Sequence, residues 1–417
     1  MLNSLQPAIM NVVTEKNLFR SEELAIDFFS WGTGPDKSIA ITFTPFGTDG
    51  EVSLNGVGYG GELLLRNDFD VVAFKSAKNL WYQNLSRETI AAVEHFIATY
   101  STRYVKRVGY GSSMGAYAAI QFSQSLKLDV VLALSPQFEI DKPYDQRWQA
   151  TAKLIEFQHR IDSSAIAEHC KYFIAYDPET EDIRHIEKLR ELIARDRLVE
   201  IQTPFSGHPS AYYLLETGLI QDLALSVLKN GSVEHITVGT HRRGSKTYLY
   251  ELSKRLAIQN KNKSALIAID KAITIDGNAP AFHLHRSVVL DNLGQAEAAL
   301  QAAYTTREKL NNDAHVMGAL SERLAKHRDF AGALALVEKA ISIDDSVQEF
   351  HLHKCAVCKA LGDIPGEISA GEFALKLSPV NASLMARLSR LHARQGGLAH
   401  WARSVVLARK AIFSLFS

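Results

Sequence analysis

The feature that most constrains this chain is a self-similarity in its C-terminal part. Phe282-His283-Leu284-His285-Arg286 recurs as Phe350-His351-Leu352-His353-Lys354, and Ala272-Ile273-Thr274-Ile275-Asp276 recurs as Ala340-Ile341-Ser342-Ile343-Asp344, both at an offset of 68 residues, twice 34. Ala374-Leu375-Lys376-Leu377-Ser378-Pro379 falls a further 34 on, and the pairs Leu293-Gly294 and Leu361-Gly362 keep the same register. A 34-residue unit accommodates a helix, a turn and a second helix but cannot bury its apolar face alone, so neighbouring units must stack. First helices are expected near Ser245, Ala279, Asp313, Val347 and Asn381, giving about five hairpins over residues 245–417 with the first and last as caps.

Residues 1–235 follow another rule. Runs rich in β-branched and aromatic residues at Leu24–Trp31, Ser38–Thr44, Phe69–Lys75, Val105–Tyr110, Asp129–Leu134, Tyr172–Tyr176 and Leu198–Thr203 alternate with helical patterns such as Arg87–Thr99, Gly115–Leu126 and Ile183–Arg195. That alternation predicts a mostly parallel sheet with helices on both faces. The spacer 32–36 is too short for a crossover helix, so the first two runs are expected to pair antiparallel. Residues 136–168 exceed one helix and its loops and can form a small lid containing Trp148 and Phe157. Residues 236–244 read as a linker.

A chain of 417 residues exceeds what one core usually serves, which agrees with two domains. Lys plus Arg and Asp plus Glu number 46 each, so no net field points to nucleic acid or an anionic membrane. No 18-residue apolar run offers a membrane span. Cys170, Cys355 and Cys358 are too few for a disulfide framework, and Cys355-x-x-Cys358 has no partner pair at zinc spacing. The expectation is a soluble, cytoplasmic protein without metal or cofactor.

The sharpest motif is Gly111-Ser112-Ser113-Met114-Gly115, a G-x-S-x-G that follows a strand-like run and precedes a helical one. Ser113 has the central spacing. Gly109, Gly111 and Gly115 also spell a phosphate loop, but a dinucleotide site wants an acidic residue closing the next strand, where Ser135-Pro136-Gln137 stands instead.

With this motif in this context, residues 1–235 resemble the α/β-hydrolase superfamily, in particular its serine esterases, and the 34-residue units resemble the tetratricopeptide repeat. The first resemblance implies that the base comes last in chain order, which selects His208 in Gly207-His208-Pro209-Ser210. It implies an acid after the strand ending at Tyr176, where both Asp182 and Asp177 stand; Asp182, just ahead of Ile183, fits the family spacing better. An oxyanion hole would use the N–H of Met114 and, from Thr44-Pro45-Phe46-Gly47, that of Phe46, because Pro45 has none. Trp81 and Tyr82, near the carboxyl edge of the sheet, are candidates for substrate binding. The reaction implied is cleavage of a small-molecule or glycan acyl ester through an acyl-serine, or transfer of the acyl group by the same residues. The second resemblance implies a protein or peptide partner, or self-association into a homo-oligomer. It leaves open a non-catalytic interaction protein.

Overall fold

A computed structural model describes residues 14–31, 37–47, 53–100, 104–142, 144–145, 147–233, 241–310, 312–378, 381–396 and 398–413. The chain forms two compact units, Met1–Glu251 and Leu252–Ser417.

The first unit is built on one eight-stranded sheet. Its strands are β1 (Thr14–Arg20), β2 (Leu24–Ser30), β3 (Ser38–Phe43), β4 (Phe69–Ser76), β5 (Lys106–Ser112), β6 (Val130–Leu134), β7 (Lys171–Tyr176) and β8 (Leu198–Gln202). The spatial order is β1-β2-β4-β3-β5-β6-β7-β8, parallel from β4 through β8 and antiparallel where β2 meets β1 and β4. Between the strands come α1 (Gly61–Leu65), α2 (Arg87–Tyr100), α3 (Met114–Gln121), α4 (Gln149–Ala152) and α5 (Asp182–Leu192); α6 (Ser210–Glu216) and α7 (Leu219–Leu225) follow β8. Strands β4 and β6 are buried throughout, as expected of parallel strands covered on both faces.

One expectation about the sheet is corrected. Strands β2 and β3 do not pair with each other, since β4 lies between them, antiparallel to β2 and parallel to β3. The other edge of β2 is taken by β1, which was not anticipated because Thr14–Arg20 is a largely exposed, polar edge strand. The division between the units also falls past the expected linker, of which residues 236–240 lie outside the described residues. Helix α8 (Lys246–Ile258) starts in the first unit, where Ser245 and Thr247 hydrogen-bond to Glu216 and the Tyr248 ring meets those of Phe205 and Tyr213.

The second unit continues with α9 (Asn262–Ile275), α10 (Pro280–Asn292), α11 (Ala296–Glu308), α12 (Ala314–Lys326), α13 (Phe330–Ile343), α14 (Gln348–Leu361), α15 (Ile364–Leu377), α16 (Ala382–Gln395) and α17 (Leu398–Phe413). From α8 onward, every second helix begins 34 residues after the last. It is a helical-hairpin repeat array of tetratricopeptide-like architecture. Asp313, Asp329, Asp363 and Asn381 cap their helices through their side chains.

Side chains explain the doubled period. Ser253, Ser287 and Ser321 each donate to a carbonyl of the second helix of their hairpin, that of Ala265, Ala299 or Ala333. In alternate units His285 and His353 reach Ser253 and Ser321 from the next hairpin at 2.9 and 2.8 Å. The hydroxyl proton is already committed to the carbonyl, so the ring Nε2–H must donate to the serine oxygen. His283 and His351 hold the carbonyls of Gly277 and Asp345 in the preceding turns. Cys355, buried in α14, takes the position of the serine in its repeat.

Burial, helped by the charge of Lys254, lowers the pKa of His285 to about 4, and burial shifts His353 in the same direction. A folded pKa below the unfolded value of about 6.5 means that folding favours the neutral ring. Stability is therefore full above pH 6.5 and is lost as the pH falls toward 4, by up to about 3 kcal/mol for His285. Thermal unfolding of the full chain at pH 7 and 4.5 is expected to show a smaller acid-induced loss for His285→Gln than for the wild type.

Candidate active site

Ser113 occupies the turn from β5 into α3 with φ 51° and ψ −118°, a conformation that L residues rarely hold. The flanking glycines permit it. A Cβ on Gly111 would lie 2.3 Å from the backbone of Gly115, and one on Gly115 would lie 2.3 Å from the carbonyl oxygen of Phe43.

The Ser113 Oγ lies 2.9 Å from His208 Nε2, and His208 Nδ1 lies 3.0 Å from both carboxylate oxygens of Asp182. An ionised carboxylate only accepts, so the ring proton sits on Nδ1 and the Nε2 lone pair faces the serine hydroxyl. Asp182 is fully buried at the start of α5. Burial opposes its ionisation, but His208 and Arg147 outweigh that and hold its pKa down at about 2.

Asp177, the alternative acid, is placed elsewhere. Its Oδ2 accepts the N–H of Gly207 at 2.8 Å and its Oδ1 that of Glu179 at 2.9 Å, so it fixes the loop that carries His208 rather than the ring itself. Burial raises its pKa.

The N–H of Met114 opens α3 and has no intrahelical acceptor. Phe46 lies in the loop after β3, which is clamped by Asn79: Gly47 N–H donates to Asn79 Oδ1 at 3.1 Å, and Asn79 Nδ2 donates to Gly47 O at 2.7 Å. Tyr82 is a correction to the expected substrate contacts. Its side chain is fully buried, with the hydroxyl within 3.2 Å of the Thr44 hydroxyl and the carbonyls of Thr44 and Phe74, so it braces the Phe46 loop and leaves no face for a ligand. The cause is local backbone: Trp81 and Tyr82 both have positive φ, which turns the Tyr82 ring inward onto Phe43. Trp81 is corrected for the same reason: it is fully buried and backs the site rather than facing a ligand, its ring centroid 5.7 Å from that of Phe46 and 5.2 Å from that of Trp148, which in turn lies 5.6 Å from the His208 ring.

Only the first part of residues 136–168 covers this site. The later part packs elsewhere: the His159 carbonyl accepts from Gln83 and Tyr117, and the Ala165 carbonyl from Ser123 and Gln124. The covering part supplies residues that were not anticipated. Gln137 Nε2 lies 3.1 Å from both Ser113 Oγ and His208 Nε2. Arg147 donates to Asp182 at 2.8 Å while gripping Asp145 through Nε and Nη2, and Asp145 is 2.9 Å from His185 Nε2. His185 Nδ1 accepts the N–H of Phe138, the residue after Gln137. The available signal for Gln137 was its place three residues past the end of β6, at the carboxyl edge where ligands bind.

No protein-family model and no curated protein matches the sequence. Among solved structures the chain is similar to "Crystal structure of MamA" (13% identity, 40% of this chain and 95% of that one, TM-score 0.36). It is also similar to "Crystal structure of YrrB: a TPR protein with an unusual peptide-binding site" (16%, 40% and 84%, 0.35) and to PilF of Pseudomonas aeruginosa (14%, 42% and 78%, 0.36). It is the chain's own 34-residue spacing that identifies the array. No described helix is long and apolar enough to cross a membrane.

Proposed function

We propose that the first unit is a serine hydrolase of the α/β-hydrolase type that cleaves a carboxylic ester through an acyl group on Ser113. The observation that carries this reading is the hydrogen-bonded chain Ser113–His208–Asp182 on a strained strand-to-helix turn. Folding alone does not require a buried carboxylate, a histidine and a serine hydroxyl to be aligned at 2.9 and 3.0 Å. In this mechanism His208 takes the Ser113 proton as Oγ attacks the carbonyl carbon, and the N–H groups of Met114 and Phe46 stabilise the oxyanion. His208 then protonates the leaving oxygen, and water repeats the sequence on the acyl-enzyme. A sugar hydroxyl in place of water would make the same site an acyltransferase. The exposed ring of Phe46 beside that of Trp148 suits a small acyl ester or an acylated glycan. No metal or cofactor enters the scheme. The three free, buried cysteines agree with a reducing, cytoplasmic setting.

The repeat array favours a second reading for the other unit, the binding of a protein or peptide partner or of a second copy, with the first unit as a passive module. The two readings separate on one experiment. A fluorophosphonate is expected to modify the full-length protein at a single residue, and digestion followed by mass spectrometry to map the adduct to Ser113. A folded protein that stays unlabelled would remove the hydrolase reading and leave the interaction one.

A further inference from the structure

We infer that Gln137 is the donor that receives the leaving group, and that it makes the site selective for oxygen esters over amides and thioesters. The inference rests on the hydrolase reading above. The orientation of the carboxamide follows from its neighbours. Trp81 Nε1 lies 3.3 Å from one end of it, and an indole N–H only donates, so that end is Oε1. Nε2 therefore faces Ser113 Oγ and His208 Nε2, 3.1 Å from each, and the side chain is fully buried, so no bulk water competes for its protons.

The leaving atom is bonded to the carbon that Ser113 Oγ attacks and must come within reach of His208 Nε2, which protonates it. It thus enters among Ser113, His208 and Gln137. As the carbon–heteroatom bond breaks, its electron pair stays on the leaving atom and His208 returns the proton taken from Ser113; Gln137 keeps both of its own protons. An ester oxygen has two lone pairs there, one for the proton from His208 and one for the N–H of Gln137. An amide nitrogen in the tetrahedral intermediate has a single lone pair, needed by His208, so the Gln137 N–H gains no acceptor on the leaving atom and keeps only Ser113 Oγ and the Ser135 carbonyl, 3.5 Å away. A thioester sulfur is a weak acceptor. In a buried site a leaving atom that cannot accept this bond forgoes it without help from water, which is how a polar pocket discriminates.

The test compares wild type with Gln137→Met, which keeps the bulk and removes the amide, and with Gln137→Ala, which only removes atoms. Ethyl acetate, whose alkoxide needs help to leave, and p-nitrophenyl acetate, whose phenolate does not, serve as paired substrates, with fluorophosphonate labelling to report on the nucleophile. The loss of kcat/KM on ethyl acetate is expected to exceed that on p-nitrophenyl acetate by about tenfold, the size of one good neutral hydrogen bond. Equal losses on both esters, faster turnover, or loss of labelling in the variants would overturn the inference while leaving the hydrolase reading intact. A wild type that neither labels nor turns over either ester would remove both.

Discussion

Replacing Ser113 by alanine is expected to lower kcat on a p-nitrophenyl ester by about a million-fold, and replacing His208 by alanine to cost about as much. The double variant should be no slower than either single one. The reason is that each is useless without the other: the hydroxyl attacks only if its proton has somewhere to go, and the ring accepts a proton only from a hydroxyl held at 2.9 Å. Asp182→Asn should cost about ten-thousand-fold in kcat, because an amide at 3.0 Å can donate to Nδ1 and stabilise the wrong tautomer. Asp177→Asn is the contrast. Its two oxygens accept two loop N–H groups, so the amide loses one of them and destabilises the His208 loop by about 1 kcal/mol, with less than tenfold effect on kcat. Steady-state kinetics on the four single variants and the double variant would check this. Additive losses from Ser113→Ala and His208→Ala, or a larger loss from Asp177→Asn than from Asp182→Asn, would break the assignment of roles.

What could be read in advance divides along a physical line. Ser113 and His208 were legible because each depends on chain-local chemistry: glycines that allow a strained turn, and a histidine loop between the last strand and its helix. The repeat array was legible for the same reason, since each helix start recurs at a fixed interval and the boundaries fall within one residue of those expected for the first helix of each hairpin. The preference for Asp182 over Asp177 came from the family spacing alone, because both stand where the chain leaves β7 and the turn at Thr180 sets which of them faces the ring. Arg147 and Asn79 were invisible because they come to the site on irregular segments, where neither period nor propensity constrains the path, and Gln137 had only its place after β6 to mark it. The same limit misplaced Tyr82. A position near the carboxyl edge of the sheet says that a side chain is close to the site but not which way a turn with positive φ will aim it. Pairing of β2 with β3 failed for a related reason: a short spacer limits the distance between strands without excluding a third strand between them.

Gly115→Ala joins fold and site most directly. The added methyl would lie 2.3 Å from the carbonyl oxygen of Phe43 and 2.9 Å from that of Thr44, and both are backbone atoms that no rotamer change can move. The helix start must then shift away from β3, or β3 must yield, and β3 is the strand paired with both β4 and β5 near the middle of the sheet. Overpacking against backbone in a closed core costs about 3 kcal/mol or more, enough to lower the unfolding midpoint of the first unit by several degrees. The activity loss should exceed what that destabilisation explains. Phe43 leads directly into the loop that carries Phe46, and Gly115 directly follows Met114, so the clash drives apart the two N–H groups proposed to hold the oxyanion. At a temperature where the variant is still folded by circular dichroism, kcat is expected to fall about a hundredfold or more, the effect of removing one such donor, while fluorophosphonate labelling slows but persists. Full activity in a folded Gly115→Ala protein would mean that the oxyanion is held by other donors. Unfolding at all temperatures would leave the steric part of the prediction standing, and the kinetic part would pass to Asn79→Ala, which loosens the same loop at Gly47 without touching the core of the sheet.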